Sequence, residues 1–116
     1  MNIQDYKNEI LNDLLEEAKY HKGESLESFR DSMWICDSVT GNASGSYTFN
    51  AYQAEENIKD LIFSDELLEM FKEFGEDRIP LEKGPEFIDV SIRCFLLDSV
   101  ISENEDEIKE ILESEE

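Results

Sequence analysis

The chain has 116 residues, enough for one domain that buries a single hydrophobic core. Ten Lys and Arg residues against 30 Asp and Glu residues give a formal net charge of -20, whose field repels nucleic acid and anionic membranes and attracts basic protein surfaces. We therefore expect a basic protein as the partner, with no direct binding to nucleic acid and no membrane association. The alternative is that the charge only keeps a helical surface hydrated.

The two cysteines, Cys36 and Cys94, favour a reduced, cytoplasmic protein. They are far apart in the chain and each lies among apolar residues, as core thiols do, although one long-range disulfide is the alternative. The N-terminal residues lack a signal-peptide pattern, and no apolar run approaches the length of a membrane span. We therefore expect a cytoplasmic location.

Apolar residues at helical spacing predict the first two helices. The first runs from Ile3 to about Tyr20, with an apolar stripe formed by Ile3, Tyr6, Ile10, Leu14 and Ala18. The second runs from about Glu24 to Asp37, with a stripe formed by Leu26, Phe29, Met33 and Cys36. Trp34 falls off the second stripe. We expect Trp34 to pack under a neighbouring loop, and contact with a partner is the alternative.

The segment from Ser38 to Ala54 carries no charge in a chain of which 34% of residues are charged. Small polar residues, glycines and three aromatic residues make it up, which is the composition of an adaptable recognition loop. As a binding surface it would comprise Trp34, Asn42, Ser44, Ser46, Tyr47, Phe49 and Tyr52. The alternative is that Tyr47 and Phe49 only fasten the loop to the next helix. On either interpretation the segment lies against other protein atoms, where an unpaired charge would be costly.

Capping signals predict the next two helices. Asn50 and Gln53 have the form of a capping box, and the helix that follows should reach about Ile62. Ser64 should cap a short fourth helix that Gly75 ends.

The segment from Glu86 to Ile101 fits two kinds of structure. A strand is suggested by strict alternation of Ile88, Val90, Ile92, Cys94 and Leu96. Pro85 at a first helical position and the length of the segment favour a helix, which would be central and buried nearly all round. The prediction is a single all-α domain over residues 1–116. It has five or six short helices around this central apolar helix, and one long neutral loop between helices 2 and 3.

The final segment, Ser102 to Glu116, carries eight acidic residues and only three apolar ones. We expect either a docked final helix or a frayed acidic tail. As a helix it would present a row of carboxylates formed by Glu103, Asp106, Glu107, Glu110 and Glu113. Carboxylates three or four residues apart are about 5–6 Å apart at their bases, comparable to successive phosphates along a nucleic-acid strand.

Catalytic, metal and cofactor sites are not predicted. Two separated cysteines and one histidine are too few for zinc, and no segment has the ligand pattern of a calcium loop. The glycine-rich part of the neutral segment has no nearby cation for a phosphate, since no Lys or Arg occurs between Arg30 and Lys59. His21, Cys36 and Asp37 could form a nucleophile set, so a small enzyme with a Cys nucleophile is a minor alternative.

Two blocks of sequence carry a resemblance to a known family. "ICDSVTGNASGSYTFNAYQAEENI" and "EKGPEFIDVSIRCFLLDSVI" resemble a family of small, acidic, uncharacterised proteins of gut-type Gram-positive bacteria and their phages and plasmids. The blocks cover somewhat under half of the chain. The resemblance implies a mobile-element setting and brings no catalytic residues.

In that setting the charge suggests a non-enzymatic protein that binds a basic host protein. Small acidic proteins on mobile elements often resemble inhibitors that imitate nucleic acid, as some anti-restriction and anti-CRISPR proteins do. The alternative is a helical protein-interaction module that uses the neutral segment 38–54.

Overall fold

The computed structural model describes residues 2–34 and 51–114. Within these two ranges the regular structure is helical throughout, with no strand. The six α-helices are α1, Ile3–Ala18; α2, Leu26–Met33; α3, Ala51–Ile58; α4, Asp65–Glu73; α5, Pro85–Glu103; and α6, Glu105–Leu112. A single-turn 3-10 helix, Leu81–Lys83, precedes α5. The all-α prediction is confirmed.

Side-chain caps fix where several of these helices begin. Asn2 and Asp5 form a capping box at the start of α1, each side chain bonded to the other's backbone N–H, at 2.8 and 3.0 Å. Ser25 and Ser64 cap α2 and α4 in the same way with one hydrogen bond each, as predicted for Ser64. The capping box predicted at Asn50 falls outside the described residues.

Glycines with positive φ lie in the turn after α1 and immediately before α5. Gly84 has φ +94° immediately before Pro85, the first residue of α5, so the chain turns sharply into a helix whose first N–H is not needed. Gly23 has φ +94° in the turn after α1, and its N–H donates to the Leu112 carbonyl at 2.8 Å. This bond joins the end of α6 to the turn that follows α1.

Helix α5 occupies the centre of the fold and resolves the choice between strand and helix. It contacts α1, α3, α6 and the 3-10 helix. Ile88, Ile92 and Leu96 lie four residues apart on one buried face, so every second member of the apparent alternation marks a single helical stripe. The prediction of burial nearly all round is wrong, because Asp98, Ser99, Ser102 and Glu103 form a polar side that faces solvent.

One hydrophobic core joins all six helices. It takes the predicted stripe of α1 and residues from each later helix: Phe29, Met33, Ile58, Leu67, Phe71, Leu97, Val100, Ile108 and Leu112. Trp34 is half-buried against this core. The loop under which it is predicted to pack lies outside the described residues. Cys94 is a half-buried free thiol whose pKa is raised by burial, and Cys36 lies outside the described residues.

The acidic C-terminal segment forms a docked helix over Glu105–Leu112. Ile108 and Leu112 are buried against α1 and α2, and Ile111 packs beside them. None of the helices within the described ranges is both long and apolar enough to cross a membrane.

A truncation of Ile108 tests this docking. Ile108→Ala should lower the free energy of unfolding by about 2–4 kcal/mol, because the side chain is fully buried and its removal leaves a cavity. Ile111→Ala, at a half-buried position on the same helix, should cost less than half as much. Urea denaturation followed by circular dichroism measures both values. Equal and negligible effects of the two changes would contradict a docked α6.

Candidate functional site

The predicted acidic row is divided between two helices. Glu103 is the last residue of α5, and Asn104 separates it from α6. The side-chain amide of Asn104 donates a hydrogen bond to the Val100 carbonyl at 2.9 Å, which ends α5. The remaining members of the row are all exposed and belong to α6 or to its C-terminal cap: Asp106, Glu107, Glu110 and Glu113. Glu103 is paired with Lys7 on α1, at 3.0 Å.

Three acids of α6 and the acid at its C-terminal cap have no cation beside them in the described part of the chain. Within the described residues, Asp106, Glu107, Glu110 and Glu113 make no salt bridge, and the one cation of α6, Lys109, is paired with Glu105 at 3.2 Å. We call these four residues the α6 acidic face. Its carboxylates are available to the cations of another molecule.

Most of the chain's cations already have an anionic partner. Seven of the ten Lys and Arg residues lie within 4.0 Å of a carboxylate oxygen: Lys7, Lys19, Lys59, Lys72, Arg78, Arg93 and Lys109. An eighth, Lys83, lies over the Phe87 ring, 4.7 Å from its centroid. A partner therefore meets a surface whose free charged groups are mainly carboxylates.

The predicted binding loop is described only at its two flanks. Asn42, Ser44, Ser46, Tyr47 and Phe49 lie outside the described residues. Trp34, before the segment, packs on the core, whereas Tyr52, near the C-terminal end of the segment, is 72% exposed on α3. The use of this segment as a binding surface stays a prediction.

A buried polar cluster that sequence reasoning did not assemble joins α1, α3 and α5. At its centre is Asp89, fully buried on α5. Its Oδ1 accepts hydrogen bonds from the Tyr6 hydroxyl at 2.6 Å and from the Asn57 amide at 3.3 Å. Its Oδ2 accepts from Arg93 Nε at 3.1 Å. One carboxylate thus receives a donor from each of three helices.

Arg93 extends this cluster towards the surface. Its Nη2 donates to Glu9 Oε2 at 3.2 Å, and its guanidinium lies 5.2 Å from the centre of the Tyr6 ring. Asp13, one turn further along α1, is half-buried nearby. Burial raises the pKa of the Asp13 carboxyl from its ordinary 3.8 to about 6, while Arg93 opposes the shift and Glu9 adds to it.

The buried polar cluster has a structural role. Within the described residues, every buried side-chain nitrogen and oxygen has a hydrogen-bond partner, and no group of His, Cys, Asp and Glu could hold a metal ion. The hydroxyl of Tyr6 and the carboxylate of Asp89 are enclosed by the core, so a substrate has no access to them. The arrangement fixes the mutual positions of α1, α3 and α5.

The predicted nucleophile set is only partly described. His21 Nδ1 contacts the carboxylate of Glu24, and its ring packs edge-on against Phe29. This bond, with a second from the Ser28 hydroxyl, lowers the pKa of Glu24. Cys36 and Asp37 fall outside the described residues, so the set stays a prediction.

Comparison with protein-family models, with curated proteins and with solved structures found no match to this chain.

Removal of the Asp89 carboxylate tests the buried cluster. Asp89→Ala should lower the free energy of unfolding by about 3–5 kcal/mol, because Arg93 is left buried without its main partner. Tyr6→Phe removes a single donor and should cost only about 1.5–3 kcal/mol. Chemical denaturation measures both, and an Asp89→Ala protein as stable as the wild type would contradict the account.

Neutralising Asp13 should stabilise the protein at neutral pH. The folded state takes up this proton at a higher pH than the unfolded chain does, so the free energy of unfolding should rise as pH falls from 7 to about 4.5. Asp13→Asn should add about 1 kcal/mol at pH 7, a value reduced for partial exposure, and should flatten this rise.

The matched control is Asp98→Asn, which removes the same charge from the exposed side of α5. Measurements should stay above pH 4.5. Below that value, protonation of Glu82, whose pKa is lowered to about 2 by its bond to Arg78, acts in the opposite direction. If the two variants show the same pH profile, burial of Asp13 does not produce the effect.

Proposed function

We propose that this protein is a non-enzymatic acidic binding protein that engages a basic cytoplasmic protein through the α6 acidic face. The observation that carries the proposal is the set of four exposed carboxylates that have no cation partner among residues 2–34 and 51–114, in a chain of net charge -20. A field of this sign and size accelerates encounter with a positively charged surface and slows encounter with nucleic acid.

The spacing of the acidic face supports imitation of nucleic acid as the mode of binding. Asp106 and Glu110 are four residues apart on one helix, Glu113 follows three residues later, and Glu107 lies beside them. Their bases are therefore about 5–6 Å apart along the helix, similar to successive phosphates along a strand. A groove that binds DNA or RNA has cations at matching intervals. The partner we infer is thus a nucleic-acid-binding host protein, which this protein would inhibit.

The break between α5 and α6 limits how long a stretch of nucleic-acid backbone the α6 acidic face could imitate. The exposed carboxylates of α6 span two helical turns, after which the chain bends at Asn104 and Glu103 turns to Lys7 on α1. The face therefore matches only a few consecutive phosphates. Its affinity should depend on long-range attraction as well as on local contacts.

An origin on a phage or plasmid, with an anti-restriction or anti-CRISPR role, is the biological setting that we propose for such an inhibitor. It is supported by the family resemblance of the blocks around the neutral segment and α5 and by the charge. The second candidate function, recognition by the neutral segment 38–54, is favoured by the exposure of Tyr52, which lies within that segment.

A charge reversal separates the two candidates. The variant Asp106→Lys, Glu110→Lys, Glu113→Lys reverses one stripe of α6 and leaves its buried residues unchanged. Its matched control is Glu66→Lys, Glu69→Lys, Glu73→Lys, which makes the same change of net charge on the exposed side of α4.

Both variants should be used with the wild type to capture partners from the cytosol of a Gram-positive host. We expect a basic nucleic-acid-binding protein to be retained by the wild type and the α4 variant, released by salt, and displaced by duplex DNA or RNA. The α6 variant should bind it at least about tenfold more weakly, mainly through a slower association rate. Retention of a neutral partner by all three proteins, insensitive to salt, would contradict the proposal and favour the neutral segment.

A further inference from the structure

An apolar groove lies between α3, the 3-10 helix and the start of α5. Ile58 and Ile88 form its floor, and Ile62, Leu81 and Pro85 form its walls around a cavity of about 280 Å³. Two other hollows in the described part of the chain, at the outer side of α2 and at the bend between α5 and α6, are lined by polar residues. The groove therefore differs in chemistry from the rest of this acidic surface.

Apolar side chains at the groove are exposed to water. Leu81 is 52% exposed although it is held in the rigid turn between Pro80 and Gly84. Ile62, in the turn that follows α3, is only partly buried. Exposed apolar residues that line a concavity are typical of an interaction site, because a partner's apolar group gains burial there without displacing charge.

The rim of the groove carries one unsatisfied negative charge. Glu55 and Lys59 both border it. Lys59 is bonded to Glu56 at 2.9 Å, which raises the pKa of the ammonium group. Glu55 makes no salt bridge or hydrogen bond to the described residues. The rim thus favours a cation beside the apolar opening.

We propose that this groove binds an aliphatic side chain of a basic partner segment, with a neighbouring Lys or Arg of that segment pairing with Glu55. This inference rests on the proposed function, since it gives the basic partner a second point of contact. A second copy of the chain is the less suitable occupant, because two molecules of charge -20 repel each other. The apolar contact would supply a residence time that exposed charges do not provide.

A pair of synthetic peptides tests the groove. The first is an amphipathic helical peptide with Leu on one face and Lys on the other, and the second has each Leu replaced by Ala at the same net charge. Isoleucine methyl signals of the protein are followed by NMR during titration. Ile58, Ile62 and Ile88 report on the groove, and Ile10, at the core between α1 and α5, is the internal control.

The Leu peptide should shift the three groove signals in a saturable way and bind at least about tenfold more tightly than the Ala peptide. Leu81→Ala should weaken the Leu peptide about tenfold, and Glu55→Gln about threefold. Tyr20→Ala, which truncates another exposed aromatic residue at the end of α1, should have no effect. Each change lies at an exposed position, so the fold is retained.

The remaining outcomes overturn the inference in distinguishable ways. Equal, salt-sensitive binding of both peptides with unmoved groove signals would refute the groove and leave the acidic binding function standing. Failure of both peptides to bind at low salt would refute the two proposals together. Groove signals that shift with protein concentration in the absence of peptide would assign the groove to a second copy of the chain.

Discussion

The buried carboxylate of Asp89 is the constraint that holds three helices of the fold together. An ionised carboxylate is costly to bury, and the cost is offset only when strong donors reach both of its oxygens. Here the donors come from Tyr6, Asn57 and Arg93, on α1, α3 and α5. Each of these helices must therefore keep its position, since a displaced helix would leave the charge without a donor.

The same cluster shows how so acidic a chain remains folded. Cations are scarce, and the structure uses Arg93 twice, for Asp89 in the interior and for Glu9 at the edge. Five other cations pair with surface carboxylates three or four residues away, whereas Lys7 reaches Glu103 across the fold. Repulsion is then left mainly among exposed carboxylates, which include the α6 acidic face, and at half-buried Asp13, where it does not control the packing of the core. We infer that the exposed charge is tolerated there because the interior is fixed by other contacts.

Much of the helical architecture follows from local signals in the sequence. The stripe of α1, the Ser64 cap and Pro85 at the start of α5 each depend on residues that are close together in the chain. The strand-like alternation in α5 arises because the half-buried residues Val90 and Cys94 fall between Ile88, Ile92 and Leu96, which form a helical stripe with a period of four residues. The expectation that α5 is enclosed failed because its polar residues near the C-terminal end were given less weight than the apolar ones.

Several features of the candidate site and the groove could not be predicted from patterns in the sequence. Tyr6 lies 83 positions before Asp89, and in the sequence it is an ordinary member of the apolar stripe of α1. Within the cluster, only Asp89 and Arg93 are close in sequence, four residues apart. The bend at Asn104 divides the acidic row because its side chain bonds to the preceding helix. The groove depends on Leu81, which belongs to a connector without periodicity.

The central claim is that long-range negative charge brings a basic partner to this protein. The most direct measurement is the association rate constant with the recovered partner, determined by stopped-flow fluorescence between about 0.05 and 0.5 M salt. The account predicts that the association rate constant falls steeply as salt increases, while the dissociation rate constant changes little. An association rate constant that is independent of salt would contradict the account.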